Sequence, residues 1–188
     1  LYARRDELQR VIEATDPAAS DALAVVIRGQ ADVEVDAARD IRAAMAAGVR
    51  AAKGQPLSEA VMARLARALT DPQVRDVLYA LAVGDRAAQA EALWAELSRS
   101  LPPPWRVEAL VLLAFSAYAR GDGPLAGVSL EAALRCDGTH RMAGMLDTAL
   151  QSGMRPEQIR ELAATGYRLA KRLGVQLPKR RRFGRRPG

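Results

Sequence analysis

The chain has 188 residues, of which 49% are hydrophobic and only 4% aromatic, and its many alanines and leucines favour helix. No apolar run approaches the roughly 18–20 residues of a membrane-spanning helix, and a single cysteine excludes a disulfide within the chain. The net charge of +6 arises in the last eleven residues, because without their six cations 22 basic residues face 22 acidic ones. The basicity therefore belongs to the C-terminal tail.

The beginning of the chain has neither the hydrophobic segment of a secretory signal peptide nor an initiator methionine. The first absence, together with the single cysteine, predicts a cytoplasmic protein. The missing initiator methionine predicts a fragment of a longer protein.

Helical periodicity and helix-breaking residues divide the first part of the chain into three segments. The first helix is expected to stop at Asp16-Pro17. Residues 19–30 fit either a helix or, at positions 24–27, a short strand, and the helix is favoured. A third helix is expected from about Asp36 to Gly54.

The boundaries are clearer in the middle of the chain. Ser58 is placed to cap a fourth helix, and the sequence Thr70-Asp71-Pro72 ends that helix and begins the next. Asp85, which follows Gly84, is expected to cap a further helix. Three consecutive prolines from Pro102 then predict a stiff turn.

The most apolar segment runs from Trp105 to Arg120 and is hydrophobic nearly all round, which predicts a central buried helix. Gly121 is expected to end this helix, Asp122 to cap the next one, and Pro124 to lie in its first turn. These signals predict a tight antiparallel helical hairpin.

Two further helices are expected at 140–153 and 156–174. The predicted fold is all-α, an irregular stack of antiparallel helical hairpins with about eight or nine helices. The predicted parts are N-terminal helices at 1–54, a helical-hairpin domain at 55–177 and a basic, flexible tail at 178–188.

The dipeptide Gly-Asp recurs at Gly84 and Gly121, an interval of about 37 residues that is typical of helix-turn-helix repeats. The segment from about Val107 to Gly138 resembles a tetratricopeptide repeat, with Gly121-Asp122 at its inter-helix turn. The residues at its packing positions are Leu110, Leu113, Ala114, Ala117, Ala126, Leu130 and Ala133.

Three stretches carry a second resemblance: PLSEAVMARLARALTDPQVRDVLYAL, LPPPWRVEALVLLAFSAYARGDGPLAGVSLEAAL and GMRPEQIRELA. They look like the C-terminal part of an actinobacterial family known as domain of unknown function 4192, best from Pro56 to Gly166. The resemblance implies a helical part that follows another domain, and it carries no catalytic residues across.

No catalytic residue, cofactor-binding residue or metal ligand is predicted, so the chain is not expected to be an enzyme. His140 is the only histidine, and Gly138 separates it from Cys136, the only thiol with which it could act. The glycine-rich stretch GDGPLAG lacks the Lys-Ser/Thr pair of a phosphate-binding loop.

The tail PKRRRFGRRPG carries six cations and no acid, so it is expected to attract polyanions such as nucleic acid or another anionic surface. The alternative is a solubilising terminus without a ligand. The candidate polyanion-binding residues are Lys179, Arg180, Arg181, Arg182, Phe183, Arg185 and Arg186, with Phe183 able to stack on a base.

The favoured function is a protein–protein interaction or scaffolding module that binds another protein in the groove between stacked helices. Two alternatives remain open. One is a nucleic-acid-associated accessory protein that acts through the basic tail. The other is a helical support domain for an enzyme whose active site lies upstream.

Overall fold

The computed structural model describes residues 4–183, and in this part of the chain the prediction of an all-α fold is confirmed. The helices are α1 (Arg5–Ile12), α2 (Pro17–Gly29), α3 (Ala37–Ala52), α4 (Glu59–Ala68), α5 (Pro72–Tyr79), α6 (Ala87–Ser100), α7 (Arg106–Ala119), α8 (Gly123–Cys136), α9 (Arg141–Gln151), α10 (Pro156–Glu161) and α11 (Ala163–Arg172). A 3-10 turn at Ala80–Val83 follows α5.

Helix α7 lies at the centre of the fold, as its sequence predicts. Every residue from Val107 to Ala119 except Glu108 is buried, which is why this helix is apolar on all faces. It packs most extensively against α8 and α6, and α6 in turn packs against α3. The main hydrophobic core is one cluster that extends from Ile12 to Val175.

The turn between α7 and α8 is held by separate hydrogen bonds at its two ends. Gly121 adopts a φ of 91°, and the amides of Gly121 and Asp122 donate to Tyr118 and Ala117 at 3.0 and 2.8 Å, which satisfies the last carbonyls of α7. The side chain of Asp122 then accepts from the Leu125 amide at 3.0 Å and caps α8. The predicted end of α7 and cap of α8 are therefore seen at these residues.

Side-chain caps also begin four helices in the first half of the chain. Asp16, Asp36, Ser58 and Asp71 each accept a backbone N–H at the beginning of a helix. The ambiguous segment is the helix α2, and no strand forms at 24–27.

Two predicted features differ from the structure. Asp85 does not cap α6: the helix begins at Ala87 after Arg86, with no side-chain cap, and the Asp85 amide donates instead to Lys179. The last predicted helix is divided at Leu162 into α10 and α11.

Between residues 4 and 183, no helix combines the length and apolar character needed to cross a membrane.

Candidate functional site

The charge of the chain is strongly segregated toward its C-terminal end. Residues 163–188 contain nine of the 28 cations and no acidic residue, which leaves 19 cations against 22 acids in residues 1–162. The acid-free segment comprises α11 and everything that follows it. Any polyanion would therefore be attracted first to this end of the molecule.

Residues 178–183, which we call the C-terminal strap, are held against the fold. The Asp85 amide donates to the Lys179 carbonyl at 2.8 Å, and the Arg181 amide donates to the Val83 carbonyl at 2.7 Å. Gly84 and Arg180 form the antiparallel bridge between these two bonds. The backbone of residues 178–183, the first part of the predicted tail, thus pairs with the end of the 3-10 turn and the two residues that follow it.

A hydroxyl of α11 adds a further attachment to the strap. The Tyr167 hydroxyl donates to the Pro178 carbonyl at 3.0 Å, and burial raises the pKa of Tyr167, so that this hydroxyl keeps its proton. Arg180 reaches the carbonyl of Arg160 at 3.5 Å. The strap therefore touches the last two helices as well as the segment that follows α5.

Phe183 anchors the end of the strap. Its ring packs against the small buried cluster of Ala80, Val83 and Ala163, and the guanidinium carbon of Arg160 lies 3.6 Å from the ring centroid. Burial lowers the pKa of Arg160, although an arginine stays charged under all physiological conditions. Phe183 was predicted to be available for stacking on a base, whereas its ring is already covered by Arg160.

The strap cations are exposed, although Arg180 reaches the Arg160 carbonyl and the guanidinium carbon of Arg181 lies 5.3 Å from the centroid of the Phe183 ring. Lys179, Arg180, Arg181 and Arg182 are all exposed, and none of them takes part in an ion pair within the described residues. The other two predicted tail cations, Arg185 and Arg186, lie outside the described residues.

Helix α11, whose Tyr167 contacts the strap, presents three more exposed cations at Arg168, Lys171 and Arg172. Its position depends on close packing at Gly166, where an added Cβ would lie only 2.7 Å from both the Ala80 Cβ and the Asp76 carbonyl oxygen. We call the exposed cations of α11 and the strap the basic surface.

A second candidate site is formed by residues from the first half of the chain. A groove of about 380 Å³ lies between the connection from α2 to α3, the first turn of α3, and the junction of α4 and α5. Its lining residues are Gln30, Val33, Glu34, Val35, Asp36, Arg39, Asp40, Arg64, Arg67, Ala68, Thr70, Asp71 and Pro72. Val33 and Val35 line it and are 57% and 62% exposed. We call this the valine groove.

Several charged groups of the valine groove are engaged within the protein, but Glu34 and Arg39 are exposed and form no ion pair among the described residues. Asp40 is buried and accepts from the Nε and one Nη of Arg64 at 2.9 and 2.8 Å. Arg67 donates to the Ala31 carbonyl at 3.1 Å, which ties α4 to the connection between α2 and α3. The groove thus offers a ligand the exposed apolar surface of its valines together with the exposed charges of Glu34 and Arg39.

Both ring nitrogens of His140, the only histidine, form hydrogen bonds within the protein. Its Nδ1 accepts from the Ala143 amide at 3.2 Å and caps α9, and its Nε2 lies 2.8 Å from Glu108. Because Nδ1 is an acceptor, the proton is on Nε2 and is donated to Glu108. Both ring nitrogens are therefore engaged, and neither is left for the exposed thiol of Cys136. Across residues 4–183, no three His, Cys, Asp or Glu side chains are grouped to hold a metal.

The valine groove was not foreseen from the sequence. The one available signal is the alternation of acids and valines in Asp-Val-Glu-Val-Asp at 32–36, which marks two apolar residues in an otherwise polar connection. The cation–π contact between Arg160 and Phe183 also could not be predicted from a local sequence pattern, because Arg160 lies in α10 and Phe183 in the strap.

The fold and these surfaces define an all-α protein built of short packed helices, with a basic C-terminal end. The family described as "Domain of unknown function (DUF4192)" matches residues 1–157, and the chain belongs to this family. The family match includes the first helices, which carried little of the resemblance, and stops before α11 and the strap. No curated protein and no solved structure matches the chain.

Proposed function

We propose that this protein is a non-enzymatic interaction module of the cytoplasm and that it binds another protein in the valine groove. The observation that carries the proposal is the exposure of Val33 and Val35 on the wall of a concave surface. Exposed apolar groups in a groove lose contact with water when a partner binds, and this stabilises the complex.

The arrangement of charges in the groove supports this reading. Buried Asp40 is paired with the partly exposed Arg64, so a partner does not have to compensate for an isolated buried charge. Burying the two valines contributes about 2–3 kcal/mol to affinity. The exposed side chains of Glu34 and Arg39 are available to pair with charges of the partner.

The test compares the double variant Val33→Ser/Val35→Ser with the unaltered protein in affinity capture from nuclease-treated native lysate, followed by titration of the captured protein in purified form. We expect one protein partner whose affinity falls at least about tenfold in the double variant.

Val25→Ser is the matched control, because Val25 is 67% exposed on α2 and does not line the groove. It should bind the partner as the unaltered protein does. A partner that binds the double variant and the unaltered protein equally would show that the groove is not the binding site.

A further inference from the structure

We propose that the basic surface binds the phosphate backbone of double-stranded nucleic acid without reading its sequence. This function is separate from protein binding in the valine groove and does not depend on it. It rests on the exposed cations of α11 and the strap, of which Arg168, Lys171, Lys179, Arg180 and Arg182 are representative. This segment contains no acidic residue, and its backbone pairing brings one exposed acid, Asp85, next to Lys179.

The strap is ordered before a ligand arrives. Its backbone is paired at Val83 and Asp85, and its end is anchored by Phe183. A free basic tail would lose conformational freedom when it binds, whereas the strap already presents its cations in one arrangement. This pre-organisation favours a regular array of phosphates as the ligand.

The covered ring of Phe183 argues for phosphates rather than bases. Proteins that bind single strands stack bases on exposed aromatic rings, and each stacked base contributes about 1–3 kcal/mol. Here Arg160 lies against the only aromatic ring of the strap. Phosphate contacts then remain as the source of affinity, and duplex DNA or RNA offers the highest density of phosphates.

The packing of α11 argues against a lipid bilayer as the ligand. A helix that binds a membrane surface inserts an apolar face between the headgroups. In α11, Leu169 and Tyr167 pack onto the protein core, as do Leu173 and Leu177 after it. Between Pro156 and Phe183 the one exposed large hydrophobic side chain is that of Leu162, at the beginning of α11, and a single leucine does not form an apolar face.

The test measures binding of a fluorescent duplex of about 20 base pairs by anisotropy, from about 50 to 200 mM salt. The triple variant Lys179→Gln/Arg180→Gln/Arg182→Gln keeps the backbone pairing of the strap while removing three cations. We expect the slope of log affinity against log salt to become shallower by about three, and affinity at low salt to fall at least about tenfold, equally for AT-rich and GC-rich duplexes.

The matched control is Arg10→Gln/Lys53→Gln/Arg141→Gln, which removes the same number of exposed cations from α1, the end of α3 and α9. Its binding should change by no more than about twofold. Thermal unfolding of both variants establishes that each is folded.

Four results would overturn the proposal. They are no duplex binding at about 50 mM salt, an equal loss in the control variant, binding of anionic phospholipid vesicles in place of the duplex, and a single strand bound about tenfold more tightly than the duplex. In the last case, a loss of single-strand binding in Phe183→Leu would identify base stacking instead.

Discussion

Two buried tyrosines differ in how their hydroxyl groups are satisfied. The Tyr118 hydroxyl donates to the Met154 carbonyl at 2.8 Å, which joins α7 to the connection between α9 and α10. The Tyr79 hydroxyl is buried and has no hydrogen-bond partner among the described protein atoms. Burial raises the pKa of Tyr79 far above its usual range, and the negative charge of Glu108 raises it further.

These environments predict that removing the two hydroxyl groups has different effects on the free energy of unfolding. Tyr118→Phe should lower the free energy of unfolding by about 0.5–1.5 kcal/mol, because the Met154 carbonyl loses its donor. Tyr79→Phe should leave it unchanged or raise it by up to about 1 kcal/mol, because a desolvated hydroxyl is removed while the ring keeps its edge contact with Phe115.

Urea unfolding of the two variants at pH 7 measures both effects under the same conditions. A loss of stability in Tyr79→Phe as large as that in Tyr118→Phe would mean that the Tyr79 hydroxyl has a stabilising interaction.

At the scale of the elements, α11 is positioned by its contact with α5 and the 3-10 turn. The contact is close because Gly166 has no side chain and allows the backbone of α11 to approach Asp76 and Ala80. The same approach brings Tyr167 to the strap. The placement of the basic surface therefore depends on one glycine in the interior of a helix.

Gly166→Ala should destabilise the protein by about 1–3 kcal/mol, because its Cβ would lie 2.7 Å from backbone and side-chain atoms that cannot move aside independently. Gly144→Ala in α9 is the control, since no atom lies within 4 Å of its added Cβ. That variant should gain about 0.5–1 kcal/mol from helix propensity.

Thermal or urea unfolding distinguishes the two glycine variants by the sign of the change. If Gly166→Ala were as stable as Gly144→Ala, α11 would not be packed as closely as described.

At the scale of the whole molecule, a neutral-to-acidic helical body carries a basic C-terminal end that is folded back onto it. The strap connects segments that are far apart in the sequence, because residues 179–181 pair with residues 83–85. It adds exposed positive charge without adding to the main core, and only Phe183 joins a small apolar cluster.

Phe183→Ala should loosen the strap, since it removes the cation–π contact with Arg160, which contributes about 0.5–2 kcal/mol. The Arg181 amide, which is bonded to Val83, should then exchange with solvent about 3–30 times faster. Hydrogen exchange followed by NMR measures this rate.

Phe183→Tyr keeps the aromatic ring and should retain slow exchange at Arg181. In both variants the Asp122 amide, bonded to Ala117 within the α7–α8 turn, should exchange as in the unaltered protein. An Arg181 amide that exchanges equally fast in all three proteins would show that Phe183 does not hold the strap.

The sequence alone determined most helix boundaries and the burial of α7. Asp122 and Ser58 cap their helices through bonds to amides three residues away, so the signal and its partner lie in the same short stretch. The apolar residues on all faces of α7 likewise predict that this helix is buried. The segregation of charge is also visible without a structure, because it depends only on which residues follow position 162.

Only the tertiary structure decided what the Gly84-Asp85 dipeptide and the strap do. The same dipeptide caps a helix at Asp122, but at Asp85 the backbone amide pairs with Lys179, a residue from the other end of the chain. The cover over Phe183 and the walls of the valine groove also come from segments distant in sequence. Contacts of this kind follow from how whole helices pack, and no local pattern of residues encodes that packing.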